Sequence, residues 1–220
     1  MTSLIFLLGL LVGFTAGLLL NLLAYRLMDI PITPREFFTC PYNLVIGILT
    51  PLLLLALLHL VDRQYLLAYS IFFCALLVTL RTDLEFMLIS RMVTLYILPL
   101  AFIFSWQGMI PISPANSLLG ALFGYFFLDI IARLYHYTTK QEGMGQGDLD
   151  LLACIGAFTG LIGCWTTLLI GSITGACIGM LVVYRSGDRT QPIPFGPFLA
   201  FGAIITVLTH NQLLWGLACI

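Results

Sequence analysis

Apolar runs of about twenty residues, separated by short polar breaks, dominate this chain and leave it few ways to fold. They fall at 3–25, 43–61, 64–81, 90–107, 113–136, 149–161, 163–184 and 194–217. A helix needs about 20 apolar residues to cross the hydrocarbon of a bilayer. Lipid offers the backbone no hydrogen-bond partners, so each run predicts a helix that satisfies its own polar groups. The expectation is an all-α polytopic membrane protein with about eight transmembrane helices. Composition agrees, since 60% of the 220 residues are hydrophobic and 9% are charged, against roughly a quarter charged in a soluble domain. Leu4 to Leu23 is longer than a signal-peptide core and has no base before it, so it predicts a first membrane helix. The run from Leu149 to Tyr184 is too long for one crossing, and Gly160 and Gly163 mark the expected break.

The basic residues orient these helices, because Lys and Arg gather on the cytoplasmic side. Arg26 and Arg35 follow the first run, Arg81 and Arg91 the third, Arg133 and Lys140 the fifth, and Arg185 and Arg189 the seventh. Only Arg63 falls on the other side. Both termini are therefore expected outside. The net charge of −1 provides no basic surface for nucleic acid. The six cysteines, Cys40, Cys74, Cys154, Cys164, Cys177 and Cys219, contain no CxxC pair, so neither a structural metal nor a disulfide framework is expected.

In such a chain the acids are the informative residues, since an ionisable group at the hydrocarbon edge needs a reason to be there. Asp29, Glu36 and Asp188 lie beside bases in cytoplasmic loops, and Asp62 lies beside Arg63 in an outer turn; all four read as solvated. Asp129 and Arg133 have the i,i+4 spacing of a local ion pair. Asp83 closes the third run, in Leu80-Arg81-Thr82-Asp83-Leu84-Glu85. Asp148 opens the sixth, in Gly143-Met144-Gly145-Gln146-Gly147-Asp148, where glycine permits positive φ and close approach of backbone. On spacing alone these two could equally be a loop acid and a helix cap.

Other chemistries lack their parts. Neither a Walker nor a dinucleotide glycine pattern is present. There is no GxSxG or HExxH, and His59, His136 and His210 are scattered. Two acids on one face leave paired-carboxylate water activation as the enzymatic option. Two close carboxylates do not both ionise cheaply, so such a pair shares a proton and supplies a general base and a general acid together. A small proton- or cation-coupled transporter is the alternative from another class, and it would place its acids near the bilayer midplane rather than at one face.

Glu142 to Asp148, followed by Leu151-Leu152-Ala153 and Gly156-Ala157, resembles the second catalytic segment of the type IV prepilin peptidases, intramembrane aspartic endopeptidases with a GxGD motif. Thr82-Asp83-Leu84-Glu85-Phe86-Met87-Leu88-Ile89 is similar to the first segment, although Ser90-Arg91 stands where that family usually has Pro-Asp. Gly17 to Asn21 with Tyr25-Arg26-Leu27 resembles its first helix, and Ile193-Pro194-Phe195-Gly196-Pro197-Phe198-Leu199-Ala200 its last, where the two prolines read as structural.

The resemblance implies a single membrane domain over 1–220, with an N-terminal helix pair (1–62) and a peptidase core (63–220). It implies catalysis by Asp83 and Asp148, with Gly143, Gly145 and Gly147 giving a substrate backbone room. Glu85, Glu142 and Asp150 are candidate contacts for the basic leader of a prepilin or pseudopilin. The implied site faces the cytoplasm from a bacterial inner membrane, among membrane lipids, and the peptidase needs no cofactor. The first cytoplasmic loop is short and carries only Cys40, whereas many family members have two CxxC pairs there. N-methylation of the new terminus, which would require S-adenosylmethionine, is thus left open. Preflagellin peptidases share the same paired-aspartate logic and are the nearest enzymatic alternative.

Overall fold

The computed structural model describes residues 2–27, 40–140, 144–187 and 194–218. Among them are seven helices: α1 (Thr2–Leu27), α2 (Pro41–Leu60), α3 (Leu66–Phe86), α4 (Arg91–Trp106), α5 (Pro114–Thr139), α6 (Gln146–Ser186) and α7 (Gly196–Ala218). A 3-10 turn, Arg63–Tyr65, joins α2 to α3. Proline in the first turn starts α2 and α5, where its missing N–H costs nothing. Ser113 caps α5 by accepting the Asn116 N–H at 3.3 Å. Met87, Lys140 and Gly187 end α3, α5 and α6 in the left-handed region.

The membrane expectation holds, while the count of about eight crossings is not reached among the described residues. Four segments there are long and apolar enough to cross: Pro41–Leu60, Arg63–Phe86, Pro114–Thr139 and Gln146–Ser186. The expected break in the long run is real and falls at Gly160, whose φ of 74° and ψ of −177° suit only glycine. Beyond it the chain folds back, for Cys164 Sγ lies 3.9 Å from the Leu152 carbonyl oxygen. In a straight helix those residues would stand about 18 Å apart. Asn116 Oδ1 accepts the Leu161 N–H at 3.1 Å and so satisfies a donor that the break frees. The first arm, Gln146 to Thr159, is about 21 Å long, less than the roughly 30 Å of hydrocarbon. The expected sixth run is therefore a short arm of one reversing helix rather than a separate full crossing.

Small residues let α5 and this arm approach backbone to backbone. A Cβ on Gly120 or on Gly156 would collide with the other helix's main chain, the close contact by which helices associate in lipid. Ser117 Oγ donates to the Ala157 carbonyl at 2.6 Å in the same seam. Phe72 of α3 stacks on Phe158 at 4.4 Å between ring centroids, and Phe104 of α4 meets Phe158 at 6.3 Å. The short arm is thus wedged among α3, α4 and α5, which fixes where its first turn points.

Contacts across the fold gather the ends of several described helices. Tyr25 of α1, Cys40 beside α2 and Glu85 of α3 meet there, as do Arg91 and Asp150, and Asp83 and Gly196. One expectation fails there. Arg81 does not follow the third helix but lies inside α3, at 1% exposure.

Candidate active site

Asp83 occupies the last turn of α3 and is 5% exposed. Its Oδ2 accepts the Gly196 N–H at 2.9 Å. That donor is available because Gly196 is the first residue of α7: the Phe195 carbonyl already accepts from Phe198 and Leu199, while the N–H groups of a first helical turn have no partner within the helix. The approach is close. A Cβ at position 196 would lie 2.6 Å from Asp83 Oδ2 and 3.1 Å from Ile89 Cδ1.

Asp148 lies in the first turn of α6, where Gly145 is the N-cap and the Asp148 N–H bonds to the Gly145 carbonyl at 3.2 Å. A helix start favours a carboxylate. Its Oδ1 is enclosed, and no described donor reaches it. Gly147 stands against Ile89, where a Cβ would come within 2.7 Å of the Ile89 Cβ. Ile89, from the α3–α4 connection, therefore touches both the glycine next to Asp148 and the glycine bonded to Asp83.

Gly147 acts through its size, and neither Gly145 nor Gly147 has left-handed backbone. Gly145 has φ −72°, and the described glycines with positive φ are Gly108, Gly160 and Gly187. Glu142 and Gly143 lie outside the described residues. The other expected leader contacts are already engaged: Glu85 is ion-paired with Arg81, and Asp150 with Arg91 at 2.9 Å. Asp129 and Arg133 form the expected i,i+4 pair at 2.8 Å.

Sequence reasoning missed a second polar cluster two residues before Asp83. Arg81 donates from Nε to Asn43 Oδ1 at 3.2 Å and from Nη2 to Tyr25 Oη at 2.6 Å, while it pairs with Glu85. The guanidinium also lies over the rings of Tyr25 and Tyr42, 5.0 and 5.3 Å from their centroids. Three helices meet on one buried cation. The i,i+4 spacing of Arg81 and Glu85 was the available signal, because two charges that neutralise each other on a helix can be buried together. Ile89 and the Gly196 amide had no comparable signal.

A helical membrane protein with two carboxylates at helix ends linked through Ile89, one held by a backbone N–H and one unclaimed at an oxygen, has the parts of an intramembrane aspartic hydrolase. The sequence model of the Type IV leader peptidase family matches residues 70–180, half of the chain, and the chain belongs to that family. It is similar to proteins named prepilin leader peptidase/N-methyltransferase. That of Xanthomonas campestris pv. campestris is 38% identical over 145 residues, 65% of this chain and 50% of the relative. That of Pseudomonas aeruginosa is 36% identical over 132 residues, 60% of this chain and 45% of the relative. In Burkholderia pseudomallei the identity is 40% over 92 residues, 41% of this chain and 30% of the relative. The chain thus spans about half the length of these relatives or less. No solved structure matches it.

Proposed function

We propose that this chain is an aspartic endopeptidase that removes the short basic leader of a prepilin or pseudopilin at the cytoplasmic face of a bacterial inner membrane. The observation that carries the reading is the packing of Ile89 against both Gly147, next to Asp148, and Gly196, whose N–H bonds to Asp83, which draws together two acids from helix ends 65 residues apart in sequence. A water between the carboxylates loses a proton to one of them as its oxygen bonds to the scissile carbonyl carbon, and the other carboxyl protonates the carbonyl oxygen. The C–N bond then breaks as the leaving nitrogen takes a proton, and the pair returns to its starting state. Acids at one face, and not at mid-helix on facing spans, support hydrolysis over ion transport.

The names of these relatives include N-methyltransferase. Arg81 and Glu85 are spent on each other, on Tyr25 and on Asn43, so no methyl-transfer step is assigned to them, and Arg35 and Glu36 of the first loop lie outside the described residues. Co-expression of a prepilin with the wild-type chain, with Asp83→Asn and with Asp148→Asn, followed by N-terminal mass analysis, tests the proposal. Cleavage by wild type alone, at equal protein levels, is the expected result. Cleavage by either variant would overturn the paired mechanism, and the product mass reads methylation in the same sample.

A further inference from the structure

We infer that the Gly196 N–H at the start of α7 is a positioning group that divides the work of the pair: it holds Asp83 as the ionised base and leaves Asp148 as the proton-bearing acid. The inference rests on the peptidase reading above and adds a role for the Gly196 amide alone, within a stretch that the sequence marks only as a helix start.

The two carboxyls differ in what surrounds them. Asp83 is buried and accepts a backbone N–H at 2.9 Å. A donor aimed at a carboxylate from a helix N-terminus favours its charged form. Asp148 also sits in a first helical turn, but its enclosed Oδ1 receives no described donor. A direct charge-assisted hydrogen bond outweighs the field of a turn whose N–H groups do not reach the oxygen. Asp83 therefore keeps the negative charge, and the shared proton belongs on Asp148, where it can be given to a substrate carbonyl.

The direction of the reaction follows. Asp83 takes a proton from water as the new C–O bond forms, and Asp148 gives its proton to the carbonyl oxygen. When the tetrahedral intermediate collapses, the C–N bond breaks, the proton on Asp83 goes to the leaving nitrogen, and a hydroxyl proton of the intermediate returns to Asp148. Protons balance, and no further reactant is needed. Gly196 also has a steric part, because only a residue without Cβ brings this N–H within bonding distance: the missing atom would stand 2.6 Å from Asp83 Oδ2.

The test uses the full chain reconstituted with a prepilin in phosphatidylethanolamine–phosphatidylglycerol vesicles, with kcat and KM measured separately. Replacing the Gly196 amide by an ester, through incorporation of glycolic acid at that position, deletes the donor without adding bulk. Loss of one preorganised donor should lower kcat by about 100-fold and leave KM within about threefold. Gly196→Ala, which displaces the Asp83 carboxylate, should do the same, while Pro197→Ala one residue on should stay within about twofold. Unchanged kcat in the ester protein, or a loss confined to KM, overturns the inference even if the aspartate variants are inactive. Equal damage from Pro197→Ala would also overturn it, by showing a general effect of disturbing the α7 start. Failure of the wild type to cleave would instead overturn the peptidase reading, and the inference with it.

Discussion

Two residues apart on α3 stand two polar centres of opposite kinds. Arg81 is engaged at every nitrogen: Nη1 is ion-paired with Glu85, Asn43 accepts from Nε and Tyr25 from Nη2, and two tyrosine rings cover its faces. The Asp83 carboxylate has one bond, from Gly196, and across Ile89 lies Asp148, with an oxygen to which no described donor reaches. Both are buried at the same end of the fold. A buried charge engaged by several partners holds structure together, whereas one left with hydrogen-bonding capacity to spare can meet a substrate. The same helix turn thus anchors the N-terminal helix pair and presents the reacting group.

Substitutions can break this contrast in measurable steps. The largest effect is expected at the pair itself: Asp83→Asn or Asp148→Asn should lower the cleavage rate by about 10³-fold or more, with little change in thermal stability in detergent. Arg81→Met should do the reverse, because it leaves Glu85 without its partner. Loss of one half of a buried ion pair costs about 3–5 kcal/mol, which corresponds to a fall of about 10 °C in apparent Tm. Cleavage per folded molecule in Arg81→Met should drop far less than in the aspartate variants.

Smaller effects sharpen the picture. Gly160→Ala puts a side chain at φ 74° and within 2.8 Å of the Asn116 amide nitrogen, a strain of about 1–3 kcal/mol that should appear in thermal unfolding of the detergent-solubilised protein. Arg91→Gln removes the partner of Asp150 at an arginine whose side chain is 59% exposed. The expected cost is under about 1 kcal/mol, and added salt should erase it in the same assay.

The parts legible in the sequence are those governed by local pattern. Hydropathy predicted the helices, the glycines of the long run its reversal at Gly160, and i,i+4 spacing the Asp129–Arg133 pair. Asp83 and Asp148 stood out because acids at the ends of apolar runs are costly. What stayed hidden depends on tertiary approach. The Gly196 donor is a backbone group 113 residues from its acceptor, and no side-chain identity announces it. Arg81 read as a loop base because hydropathy cuts a helix at its first charge, while Glu85, Tyr25 and Asn43 allow α3 to carry that charge inside. Glu85 and Asp150 were read as leader contacts for the same reason: their arginine partners were assigned to loops and taken to face water.

The most direct measurement is a matched comparison of Asp83→Asn and Arg81→Met in vesicles, recording prepilin cleavage per folded molecule together with Tm. The account predicts a crossed result: Asp83→Asn folded but inactive, Arg81→Met less stable yet still able to cleave. Cleavage retained by Asp83→Asn, or lost from folded Arg81→Met as completely as from the aspartate variant, would contradict it.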